Sequence, residues 1–173
     1  MLTFKSLLKK SENRVQKISL LRSKIEDMLN TVFRQVAFFK FEREVHLKRS
    51  SGELTEEEIG KIWMDTQKES LGPSIKFNDN YKYFWAYIPH FIHSPFYVYA
   101  YAFGDCLVNS LYKKYEDGDD DFIEKYYALL EAGGSVHYQN HLSKFKLNPK
   151  RRDFWQLGMN LIKNLMDDLE KLS

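Results

Sequence analysis

Three residues with suitable chemistry stand close together in the chain: His90, Tyr97 and Tyr101. Pro95 suits the first turn of a helix, with Ser94 as its cap. In such a helix Tyr97 and Tyr101, four residues apart, share one face, while Tyr99 points to the opposite side. His90 reaches that face if the chain folds back at Pro95. A histidine and two phenols converging in this way can donate hydrogen bonds to the oxyanion of a tetrahedral intermediate. From spacing alone, an aromatic core with satisfied hydroxyls is the plainer reading and the donor set the sharper one. His137 and His141 have the i, i+4 spacing of two metal ligands on a helix. The glutamate of H-E-x-x-H is missing between them and no third ligand is evident, so no metal site is assigned. His46 lies among charged residues and reads as surface.

Other chemistry is not evident. Cys106, the single cysteine, sits in the apolar run Ala102 to Val108 with no partner at catalytic spacing, and reads as a small buried hydrophobe. A lone cysteine makes no internal disulfide, which suits a reducing compartment. There is no G-x-S-x-G, no phosphate-binding loop and no glycine-rich dinucleotide fingerprint.

The elements that must position these residues are helices. Ile18, Leu21, Ile25, Met28, Val32, Val36 and Phe39 recur every three or four residues, which predicts one long helix over 14–49, stopped by Ser51-Gly52. Thr55 with Glu58 forms a capping box opening a helix to about Gln67. Gly72-Pro73 begins a loop. Tyr81, Tyr83, Trp85 and Tyr87 alternate, which taken alone argues for a short strand within an otherwise helical context. The helix opened by Pro95 runs to about Tyr115. Asp117-Gly118 turns the chain into a helix ended by Gly133-Gly134; a short helix over 135–144 and a last one over 151–172 follow. The expected fold is all-α, a single domain over 1–173 without a linker.

Composition limits the partners. Hydrophobic residues make up 43% and charged residues 29%, as in a globular protein. The net charge of +2, without a basic block, argues against nucleic acid. The charged residues read as solvated helix faces. No run of 18 apolar residues and no signal peptide is visible, so no membrane span is expected and the cytoplasm is the default. Aromatics make up 16%, and every tyrosine except Tyr138 lies between Tyr81 and Tyr127. That clustering suggests a wet, aromatic-lined surface or a tyrosine-rich core.

The stretch from Phe84 to Gly104, Phe-Trp-Ala-Tyr-Ile-Pro-His-Phe-Ile-His-Ser-Pro-Phe-Tyr-Val-Tyr-Ala-Tyr-Ala-Phe-Gly, closely resembles the C-terminal region of oligoendopeptidase F, of the thimet-oligopeptidase-like zinc metallopeptidases. The likeness continues in Leu129 to Gly134, Asp153 to Trp155, Lys24 to Gln35 and Glu69 to Pro73, and so covers nearly the whole chain. The resemblance implies a multi-helix portion of the catalytic domain of enzymes that cleave short peptides in the cytoplasm. In the family, zinc is held by the two histidines of H-E-x-x-H and a downstream glutamate, and the motif glutamate activates the bound water. A later histidine and tyrosines bind substrate and steady the oxyanion. That role falls on His90, Tyr97 and Tyr101. His93 and Tyr99 fall on the substrate-binding side; His93 replaces His90 if the turn is tighter, and Tyr99 should face away.

No H-E-x-x-H occurs in residues 1–173. The segment resembling Met1 to Phe4 lies just after the family's third ligand. The resemblance therefore implies the substrate side of a site without its metal side, no zinc bound to this chain, and no activity from the chain alone. A complementary N-terminal peptidase fragment is the expected partner. A non-catalytic helical module binding peptides or proteins is the alternative, and a relic without function a third. Apolar surface near Phe38, Phe39 and Phe41 is expected to be exposed and to promote self-association.

Overall fold

A computed structural model describes residues 1–172. It is all-α: among the described residues there are nine α-helices, one π-helical turn, one 3-10 helix and no strand. The α-helices are α1 (Leu2–Lys10), α2 (Arg14–Leu29), α3 (Gln35–Arg49), α4 (Glu56–Leu71), α5 (His90–His93), α6 (Tyr99–Glu116), α7 (Phe122–Ala132), α8 (Tyr138–Lys144) and α9 (Arg152–Leu172). The π turn is Asn30–Arg34 and the 3-10 helix Asp79–Tyr87. Contacts among the described residues gather into two compact units, 1–28 with 104–172, and 29–103. Both divisions fall within helices, which is why the sequence shows no linker. No helix among the described residues is long and apolar enough to cross a membrane.

The helical run over 14–49 is present, but the π turn divides it. A π turn inserts one residue into the ladder and rotates everything after it. Up to that point the buried side follows the expected stripe through Leu21, Ile25, Met28 and Val32. Beyond it the expected Val36 is exposed and Phe39 only partly buried, and Ala37, Phe38 and Phe41 turn inward instead. The phenylalanine patch expected to be exposed is therefore core: Phe38 and Phe41 are 4% and 3% exposed. Ser70 of α4 donates its hydroxyl to the carbonyl of Phe33 within the π turn at 3.2 Å.

In the 29–103 unit, Phe38, Phe41, Ile62, Trp63, Ile88 and Val98 form the core. Phe41 meets the Trp63 ring edge-on at 5.2 Å and Phe91 at 5.0 Å. α4 opens with the predicted capping box: Glu58 N–H donates to Thr55 Oγ1, and Thr55 N–H donates to Glu58 Oε2 at 2.8 Å. The Thr55 backbone bond, then its hydroxyl, holds the Glu58 carboxyl below its ordinary range. Thr55→Ala is expected to cost about 1 kcal/mol, read as a lower urea midpoint with unchanged slope. Gly60 faces the 3-10 helix, where a Cβ would stand 3.2 Å from the Lys82 carbonyl oxygen, so a side chain there would crowd the packing. The strand suggested by alternating aromatics is not formed: Asn78 accepts the Tyr81 N–H at 2.9 Å and starts the 3-10 helix instead. At three residues per turn, Tyr81 and Phe84 stack at 5.1 Å.

In the other unit, Cys106 is fully buried and Gly158 lets α9 approach it, a Cβ at 158 standing 3.1 Å from its sulfur. Burial, with the neighbouring Asp105 carboxylate, pushes the thiol up to about 11. Ser110 donates to the Phe154 carbonyl at 3.1 Å, tying α6 to α9. Lys5 pairs with Glu116, which also accepts from the Tyr112 hydroxyl at 2.8 Å. Partial burial raises the Glu116 carboxyl, but these bonds outweigh it and hold it below its ordinary range.

Candidate functional site

The segment carrying His90 and Tyr97 is held at both ends by core residues. Ile88 and Val98 both belong to the aromatic cluster of the 29–103 unit. Between them Pro89 precedes the single turn α5, and the Phe91 ring packs against both Phe38 and Phe41. The chain then bends at Ser94, and Phe96 takes a left-handed conformation with φ 59°. This interrupts the helix expected from Pro95, and α6 begins only at Tyr99. A bulky residue at positive φ is rare and needs outside support. Two contacts on α3 supply it: the Phe96 N–H donates to Glu42 Oε1 at 2.7 Å, and the His46 ring lies 4.8 Å from the Phe96 ring.

This turn brings the predicted trio together, though not through the expected helical spacing. His90 Nε2 lies 3.0 Å from the Tyr101 hydroxyl, the direction of donation depending on the histidine tautomer. The His90 and Tyr97 rings are parallel at 6.0 Å, and Tyr97 meets Tyr101 edge-on at 5.5 Å. Tyr97 is 52% and Tyr101 39% exposed, so these phenols are not core residues with buried hydroxyls. The three side chains gather beside exposed phenol rings, and a phenol placed there is able to donate a hydrogen bond to an incoming carbonyl oxygen. Tyr99 faces elsewhere, with its ring against Phe39 at 6.0 Å. His93 ends α5, exposed, and is not drawn into the trio. Glu42 was not singled out in the sequence, since a glutamate in a charged helix carries no local mark of burial.

His137 and His141 have different fates. His137 accepts the Gln139 N–H at the start of α8, while His141 is buried with both ring nitrogens unpartnered. Among the described residues, no three His, Cys, Asp or Glu side chains are grouped to hold a metal ion. The side chains of the described residues therefore do not fit a zinc ion.

With this helical fold and its exposed histidine–tyrosine cluster in view, comparison with known proteins defines the class. The sequence pattern of peptidase family M3, zinc metallopeptidases, matches residues 1–161, and the chain belongs to that family. It is 31% identical over 168 residues to the plasmid-encoded oligoendopeptidase F of Lactococcus lactis subsp. cremoris, covering 96% of this chain and 28% of that protein. It is 32% identical over 167 residues to an oligoendopeptidase F homologue of Borreliella burgdorferi, covering 95% and 28%. The crystal structure of oligoendopeptidase-F from Enterococcus faecium superposes with a TM-score of 0.89 at 25% identity, over 98% of this chain and 32% of that one. The chain thus spans a little over a quarter of the length of these relatives.

Proposed function

We propose that this chain forms the substrate side of an oligoendopeptidase F-like zinc peptidase acting on short peptides in the cytoplasm. The observation that carries this reading is the convergence of His90, Tyr97 and Tyr101 on one exposed face, 3.0 Å separating His90 from the Tyr101 hydroxyl. With the His90 Nε2–H holding the Tyr101 oxygen at 3.0 Å, the hydroxyl protons of Tyr101 and Tyr97 stay free to donate hydrogen bonds to the scissile carbonyl oxygen. These bonds strengthen as that oxygen gains negative charge in the tetrahedral intermediate. His93 and Tyr99 contact the peptide further along. Family membership and similarity to oligoendopeptidase F over 96% of this chain support the assignment.

Hydrolysis also needs an activated water, which these donors do not generate. The metal ligands and general base come from a complementary segment carrying H-E-x-x-H, a motif absent from residues 1–173. The expected result is that the purified 173-residue chain neither turns over an internally quenched peptide nor retains stoichiometric zinc by mass spectrometry. Adding the complementary segment restores cleavage. Turnover by the chain alone would overturn the division of labour. Peptide binding that depends on Tyr101, with no cleavage under any mixture, would favour a binding module instead.

A further inference from the structure

The carboxylate of Glu42 is the least explained group near the trio. It is 2% exposed, yet only Oε1 has a partner, the Phe96 N–H at 2.7 Å; Oε2 is buried without one. Removing a carboxylate from water while half of its acceptor capacity stays unused is costly. A glutamine would accept the same N–H without burying a charge. The bond that remains is short, 2.7 Å from the Phe96 nitrogen to Glu42 Oε1. It acts at the left-handed residue of the turn, Phe96 at φ 59°. Tyr97 follows directly, with its ring parallel to His90, and α6 with Tyr101 begins two residues later. His46, one helical turn beyond Glu42, packs on the Phe96 ring, so both supports of the turn come from one face of α3.

We propose that Glu42 is a positioning residue that locks the turn over 95–98 and thereby sets Tyr97 and Tyr101 against His90. Its carboxylate bonds the turn and does not touch a peptide. The inference rests on reading the trio as substrate-side donors. A small displacement of such groups is enough to cost up to about 100-fold in a reaction that depends on their alignment.

The test uses the 173-residue chain with isotopically labelled histidine, as wild type, Glu42→Gln, Glu42→Leu and Tyr101→Phe. His90 ring nitrogen shifts are recorded by NMR, and affinity is measured for a fluorescein-labelled, end-blocked alanine oligopeptide. Tyr101→Phe should move the His90 Nε2 signal and weaken the peptide about tenfold. Glu42→Leu should reproduce both effects with unchanged helical circular dichroism, whereas Glu42→Gln, which retains an acceptor, should keep both near wild type. Wild-type behaviour in Glu42→Leu while Tyr101→Phe moves both signals would overturn the positioning role. So would equal loss in Glu42→Gln and Glu42→Leu, or an unfolded Glu42→Leu chain, which would make the carboxylate a support of the whole unit. If Tyr101→Phe and Glu42→Leu both move His90 but leave peptide affinity unchanged, the lock stands and the substrate-side reading of the trio fails.

Discussion

Trp63→Ala is expected to destabilise the 29–103 unit by about 3–5 kcal/mol, the range for deleting a large buried aromatic side chain. Trp63 is 1% exposed and lies at the centre of the ring cluster. Its ring meets Phe38 at 5.4 Å, Phe41 at 5.2 Å, Tyr81 at 5.8 Å and Phe91 at 6.4 Å. These neighbours come from α3, the 3-10 helix and α5, so truncation removes contacts to three elements at once. Rigid rings collapse poorly into a cavity, which favours the upper part of the range. Since whole domains are stable by only about 5–15 kcal/mol, such a loss leaves little margin. The indole N–H has no hydrogen-bond partner, so Trp63→Phe gives up packing alone and should cost clearly less than alanine. Urea unfolding followed by circular dichroism reads both variants; a Trp63→Ala midpoint close to wild type would show that the cluster does not hold the unit together.

How far the sequence revealed this arrangement depends on the range of the forces involved. Local signals were reliable. Thr55 and Glu58 satisfy each other's backbone donors within four residues, and the structure forms that box. Gly72 and Gly133 stop helices with positive φ, as glycine does at small conformational cost. The long stripe over 14–49 was legible only to Val32, because a π turn leaves no composition signature and shifts the register beyond it. That shift is what buries Phe38, Phe41 and Glu42. Alternating aromatics from Tyr81 to Tyr87 suggested a strand, yet no partner strand exists among the described residues to satisfy its backbone. A 3-10 helix satisfies those groups internally. The members of the trio were legible as residue types, and they do meet. Their mode of meeting was not, since Pro95 signals a helix start while the bond from distant Glu42 holds Phe96 left-handed and delays the helix.

The second large effect concerns turnover. In the proposed assembled peptidase, with Tyr101 as an oxyanion donor, Tyr101→Phe is expected to lower kcat about 100- to 1,000-fold, the usual consequence of removing one such donor. The ring stays, so packing against Tyr97 is preserved and only the hydroxyl is lost. A ground-state carbonyl accepts a weak bond, whereas the tetrahedral oxygen carries charge and accepts a strong one. The loss should therefore fall chiefly on kcat, with KM raised by no more than the roughly tenfold loss in peptide affinity. His90→Ala should give a loss of the same order, because the His90 Nε2–H holds the Tyr101 oxygen at 3.0 Å and keeps its proton free for the substrate. If the two groups act as one unit, the double variant should lose little more than either single one. Losses that multiply would mean independent contacts to the substrate. A change confined to KM would mean that Tyr101 binds the peptide without sensing the charge that develops on it, and would remove the oxyanion role while leaving the substrate-side location intact.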